Sequence, residues 1–309
     1  MKFKKILSSL LVVIIFGFIA RNIIENWSVI KYFPWHFSYY NLSLLLIFLI
    51  PVYLTNSTSW FLVLRALDMK KKYLTIIRIW CFSNASRFIP GAIWQYGGRI
   101  FLSSKEGIPV ALTVTSLMIE MIFVLTIGLL IVLTTFSLYH FSLNSYLYIV
   151  IFSLPILLFL LLIFTNQKIL NIFFNFYKMV TGEKLGIKSF KLSPFWIAIL
   201  SISFLIQFIF DGSVLFFLTR QAVDLSWNLY PVFIGIFASS WILGYITMIA
   251  PAGLGVQEIS IATMLSLYMP FPVAGMVAIL FRLVLLLSEI LTILFLSVIS
   301  KRLFKLKLI

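Results

Sequence analysis

The chain has 309 residues, 62% of them hydrophobic and only 11% charged, with a mean hydropathy of +1.11. A soluble globule carries about 25% charged residues, so 24 basic and nine acidic side chains exclude a water-facing surface of ordinary extent. The formal charge of +15 does not point to nucleic acid, because the basic residues form no single patch and lie instead in the gaps between apolar runs.

In chain order, Lys2, Lys4 and Lys5 precede an apolar run from Ile6 to Ala20. This resembles a signal peptide, but Phe18 fits a small-x-small cleavage site poorly, so an uncleaved first helix is expected. Stretches long enough to span a bilayer, about 20 residues each, lie near 4–24, 40–66, 109–137, 145–166, 194–219 and 272–299. Two more, 73–103 and 230–268, are interrupted by Pro and Gly. Arg65 with Lys70, Lys71 and Lys72 marks a cytoplasmic loop, as do the five lysines within 167–193 and the tail with Lys301, Arg302, Lys305 and Lys307. The loop holding His140 has no Lys or Arg and belongs outside, as does the loop with Arg220 and Asp224.

The expected fold is therefore an all-α polytopic integral membrane protein, one helical domain over 1–309, with both termini in the cytoplasm. It has about six full crossings plus two re-entrant hairpins. Eight crossings is the alternative, with the 230–268 stretch crossing twice.

The two interrupted stretches resemble each other. Ile89-Pro90-Gly91, Gln95, Pro109 and a long helix with Glu120 form one series. Pro251-Ala252-Gly253, Gln257-Glu258, Pro272 and a long helix with Arg282 and Glu289 form the other. By the loop charges the two enter from opposite faces, an inverted repeat of about 40–137 and 194–299. In transporters such repeats place a substrate site near the midplane. Helices broken after Gly91 and Gly253 would aim their positive ends into that site.

Arg87, Arg99, Glu120, Asp211, Glu258, Arg282 and Glu289 fall inside apolar segments. Each costs roughly 3 kcal/mol if it faces lipid, so they should face inward and pair. Ser203, Gln207 and Asp211 recur every fourth residue as one polar stripe. Arg282 and Glu289 share a face but stand about 10.5 Å apart along the axis, so each needs a partner on another helix. The single Cys81 excludes an internal disulfide. His36 and His140 sit in separate loops without a metal-ligand pattern, and no metal or cofactor is expected. Trp27, Trp35, Trp196 and Trp227 suit an interfacial belt.

The stretches "RFIPGAIWQ" (Arg87 to Gln95) and "PAGLGVQE" (Pro251 to Glu258) resemble two signature elements of the lysylphosphatidylglycerol synthase transmembrane-region, or flippase-like, family. The resemblance runs over roughly residues 5 to 300. It implies translocation of a lipid with a polar headgroup between leaflets, or a membrane subunit beside lipid-linked glycan synthesis. Arg87, Pro90, Gly91, Trp94, Gln95, Pro251, Gly253, Gly255 and Glu258 match its signature positions. Members that make aminoacyl-lipids carry a soluble transferase domain after the membrane region; this sequence ends at Ile309, so synthase activity is not expected.

The leading expectation is a flippase-type transporter in the cell membrane. It would move a phospholipid or lipid-linked sugar through a polar cavity, with Arg87, Gly91, Trp94, Gln95, Arg99, Gly253, Gly255, Gln257 and Glu258 at the substrate. Glu120, Gln207, Asp211, Arg282 and Glu289 would line the cavity or form ion pairs. The alternatives are a non-catalytic subunit supporting a glycosyltransferase partner, and a membrane-embedded transferase with Glu258 or Glu120 as base. The lysine-rich faces would meet anionic lipids on the cytoplasmic side.

Overall fold

The computed structural model describes residues 17 and 21 and residues 23–88, 94–139, 192–246 and 253–299. Most of the expected first helix, the segment 145–166, His140, the lysine loop up to residue 191 and the C-terminal tail lie outside the described residues, as do Pro90, Gly91 and Pro251. Within them the chain is helical, without a strand. The helices are α1 (Trp27–Lys31), α2 (Tyr39–Ala66), α3 (Tyr73–Asn84), α4 (Trp94–Lys105), α5 (Val110–Tyr139), α6 (Pro194–Thr219), α7 (Tyr230–Ile246), α8 (Val256–Leu265) and α9 (Phe271–Ile299). A 3₁₀ turn, Ala85–Phe88, follows α3, and another, Trp227–Leu229, leads into α7.

Local sequence explains the helix starts. Ser38 caps α2, its hydroxyl accepting the Asn41 N–H at 3.4 Å. Ser193 does the same for α6 through Trp196 N–H, with Pro194 in the first turn, where a missing N–H costs nothing. Gly107 adopts φ +72° in the turn between α4 and α5, and Lys71 Nζ donates to the Glu106 carbonyl at 2.6 Å. That bond ties the α2–α3 loop to the α4–α5 turn.

Helices α2, α5, α6, α9 and α7 with its leading turn are long and apolar enough to cross a membrane. Their burial is inverted relative to a soluble bundle. On α9, Leu283, Leu287, Ile290 and Leu294 form an exposed apolar stripe, while Ser288, Glu289 and Thr292 are buried. Buried Ser57 and Ser59 on α2 and Thr113, Thr115 and Ser116 on α5 repeat the pattern. Apolar side chains turned outward and polar ones turned inward are what a hydrocarbon surround selects, because lipid offers no hydrogen-bond partner. The chain is a multi-pass helical membrane protein.

Helices α2 and α6 form the most extensive helix–helix contact among the described residues. Around them α7 packs on α6 and α5, α9 packs on α2 and α8, and α3 packs on α4 and α2. The same order of elements occurs twice: a long helix, a broken stretch and a long helix, as α2, α3–α4, α5 and then α6, α7–α8, α9. The two breaks are not identical. The first leaves two helices of 12 residues each, the second a 17-residue and a 10-residue helix.

Close backbone approach sets the second break. Gly253 has φ +65°, and a Cβ placed on it would stand 3.2 Å from the Cα of Gly244 on α7. Both constraints favour glycine. Gly253→Ala is expected to lower stability by roughly 1–2 kcal/mol from the left-handed backbone alone, read as a lower unfolding midpoint of the purified protein in detergent.

Candidate functional site

A cavity of about 250 Å³ lies among helices α2 to α9. Both broken stretches contribute to its wall: Arg87, Gln95 and Arg99 from the first, Gly253 and Gln257 from the second. The long helices add Asn56, Glu120, Gln207, Asp211 and Arg282. Aromatic wall is supplied by Trp80, Tyr96, Phe237, Trp241 and Tyr245.

Each of the three cavity arginines meets a carboxylate of a different helix. Arg99 Nη1 lies 2.5 Å from Glu120 Oε2, and its Nε donates to Ser83 Oγ at 3.3 Å. Its guanidinium also stands 4.9 Å from the Trp60 ring and 5.4 Å from the Trp80 ring, a cation–π arrangement strengthened by desolvation. Trp80 Nε1 donates to the other oxygen of Glu120 at 3.2 Å, and Trp60 Nε1 donates to Ser116 Oγ at 2.9 Å. Arg99 is 3% exposed and fully engaged.

Arg282 on α9 reaches α8. Its Nη1 donates to Gln257 Oε1 at 2.7 Å, and its Nε lies 3.5 Å from Glu258 Oε1. Arg87, in the 3₁₀ turn after α3, donates from Nη2 to Glu289 Oε2 of α9 at 2.9 Å. Two pairs thus tie the second arm of each broken stretch to the long helix that follows it, with the charges exchanged. The third, Arg87–Glu289, links the first series to the second. Arg87 is the most exposed of the three arginines, its side chain 25% accessible.

Asp211 differs from the other carboxylates. It is 5% exposed and lines the cavity, yet among the described residues no basic side chain lies within ion-pair distance of it. Asn56 on α2, whose Nδ2 donates to the Val52 carbonyl at 2.9 Å, shares the cavity wall with it. The polar stripe of α6 therefore faces the centre: Ser203 Oγ meets Ser59 Oγ of α2 at 2.8 Å, and Gln207 and Asp211 reach the cavity.

The half-helix expected to offer its positive end to a ligand is arranged differently. Helix α8 begins after Gly255 (φ +86°), and Glu258 Oε2 accepts the Gly255 N–H at 2.6 Å. An internal carboxylate already occupies the helix N-terminus, where an anion is favoured. Glu258 and Glu289 are buried in their ion pairs, behind rather than in the cavity wall. Trp94 is 46% exposed at the start of α4 and is not part of that wall, which instead holds Gln95. Gly91 lies outside the described residues.

Residue-by-residue reading of the sequence passed over several groups the site uses: Asn56, Tyr53 and Asn84, whose Nδ2 donates to Tyr53 Oη at 2.9 Å, and the aromatic wall. A signal was present. Thr55-Asn56-Ser57-Thr58-Ser59 is a run of five polar residues in the middle of a spanning helix. Their side chains bond back to carbonyls of their own helix, which lets such residues exist in a membrane. Among the described residues, no group of three His, Cys, Asp or Glu side chains is placed to hold a metal ion.

The sequence model of one protein family, described as the lysylphosphatidylglycerol synthase TM region, matches residues 5–292, nearly the whole chain. No curated protein matches the chain in sequence.

Proposed function

The chain belongs to the lysylphosphatidylglycerol synthase transmembrane-region family, and from that premise we propose that it is a flippase-type transporter carrying the polar headgroup of a membrane lipid between leaflets. The observation that supports this most is a 250 Å³ polar cavity built from both broken stretches beneath an apolar exterior. A headgroup would occupy the cavity while its acyl chains stay in lipid. Gln95, Gln207, Gln257 and Asp211 meet the headgroup. The pairs Arg87–Glu289, Arg99–Glu120 and Arg282–Glu258 hold the cavity walls, and Gly253 and Gly255 shape the second break. Trp94, the first residue of α4, flanks the headgroup beside Gln95.

Helix length supports the hairpin topology. The ten residues of α8 rise about 15 Å, half of a hydrocarbon core of about 30 Å, and α3 and α4 are little longer. Segments this short dip into the membrane rather than span it alone, whereas α7 with its leading turn is long enough to cross. The repeats at 40–137 and 194–299 are inverted, and both termini are cytoplasmic, where basic loops meet anionic lipid. The membrane is the cell membrane.

The test is reconstitution of the purified protein into liposomes carrying a fluorescent lipid whose outer-leaflet copies are bleached by dithionite. Wild type is expected to expose the inner-leaflet pool far faster than protein-free vesicles. Leu117→Trp, which fills the cavity wall, is expected to slow it. Bleaching no faster than in empty vesicles removes the transport reading and leaves a membrane subunit that supports a glycosyltransferase.

A further inference from the structure

The cavity's fixed charges are already neutralised in pairs, and this bears on what enters it. Arg87, Arg99 and Arg282 each hold a carboxylate. A phosphate approaching one of these arginines would lie beside Glu289, Glu120 or Glu258 as well, an unfavourable placement of like charges in a low-dielectric site. The wall also carries the amides Asn56, Gln95 and Gln207, the Tyr245 hydroxyl and the carboxyl group of Asp211, which has no basic side chain within ion-pair distance among the described residues.

Amides both donate and accept, and a carboxyl group can accept in either protonation state. A hydroxyl matches this set, since it donates to Asp211 and accepts from the amides at once. An ammonium has no acceptor and would satisfy Asp211 while leaving the amide N–H groups unmatched. Aromatic rings complete the site: Trp241 and Tyr245, both on the wall, stack on each other with ring centroids 5.1 Å apart and planes 13° from parallel. The volume of about 250 Å³ falls just below the roughly 300–1,000 Å³ of pockets for drug-sized ligands, so it suits one ring and not an oligosaccharide.

Resting on the transport reading of the same cavity, we infer that its headgroup is an uncharged, polyhydroxylated ring, a single sugar carried on a lipid. Asp211 and the amides bind the hydroxyls, and the Trp241–Tyr245 wall covers the C–H face of the ring. The sugar is selected because it pairs these groups without disturbing the three buried ion pairs.

Binding can be measured without translocation. The purified full chain in detergent is titrated with a monohexosyl diacylglycerol, phosphatidylglycerol and phosphatidylethanolamine of identical acyl chains, and bound lipid is counted by native mass spectrometry. The monohexosyl lipid is expected to bind at least about tenfold more tightly than either phospholipid, the worth of one or two matched hydrogen bonds. Asp211→Asn, Gln207→Leu and Trp241→Leu are each expected to remove most of that preference. Gln207→Leu serves as the independent variant should Asp211→Asn fail to fold. Preference for phosphatidylglycerol would overturn the inference in favour of an anion site, and preference for phosphatidylethanolamine that depends on Asp211 would overturn it in favour of an ammonium site. Equal binding of all three lipids overturns it as well. Headgroup preference without lipid movement in liposomes keeps this inference and removes transport; movement without preference does the reverse.

Discussion

Glu120→Gln is expected to destabilise the protein by about 3–5 kcal/mol, the usual cost of removing one partner of a buried ion pair. The substitution leaves Arg99, 3% exposed, with Ser83 and two indole rings but no counter-charge. Cation–π contact with Trp60 and Trp80 is worth about 2 kcal/mol when desolvated, too little to replace the carboxylate. Ser116→Ala, which removes the acceptor of the Trp60 N–H and the donor to the Thr113 carbonyl within α5, sets the scale for a neutral bond between membrane helices, about 0.6 kcal/mol on average. Reversible unfolding in mixed detergent micelles measures both. The double variant Arg99→Leu/Glu120→Leu is expected to regain most of the loss, since replacing a buried pair by apolar groups is often neutral. If the single and double variants lose the same stability, the stranded charge is not the cause.

Gly212→Val is expected to be the most damaging glycine substitution. A Cβ at Gly212 would stand 2.6 Å from the Cα of Ile234 on α7, a backbone atom that no rotamer change can move. Helices α6 and α7 must separate, and overpacking of this kind costs about 1–3 kcal/mol. Both helices line the cavity, so lipid movement should fall together with stability. Gly97→Ala is the control. It has nothing within 4 Å of its added carbon and lies inside helix α4, where alanine is favoured over glycine by roughly 0.5–1 kcal/mol. A raised unfolding midpoint for Gly97→Ala beside a lowered one for Gly212→Val is the expected pair of results.

Much of the site was legible because a bilayer punishes misplaced polarity. Arg87, Arg99, Glu120, Asp211, Glu258, Arg282 and Glu289 stand out in apolar runs, and the i, i+4 spacing of Ser203, Gln207 and Asp211 puts them on one face of α6 whatever α6 packs against. The spacing of Gly255 and Glu258 also carried its own meaning. A carboxylate three residues after a helix cap returns to the cap's N–H, and Glu258 does so rather than leaving the helix end open.

Partner choice was not legible. That Arg87 meets Glu289, 202 residues away, and that Asp211 shares the cavity wall with Asn56 and has no basic side chain within ion-pair distance among the described residues, depends on which helices touch and in what rotation. Spacing within one helix fixes a face; it says nothing about the face opposite. From the sequence alone come the membrane, the helices, the two breaks and the inward charges, because each follows from local periodicity and the cost of polarity in hydrocarbon. Only the tertiary structure decided that three arginines are neutralised and one aspartate is not, because a charge balance belongs to a set of neighbours and not to any residue in it.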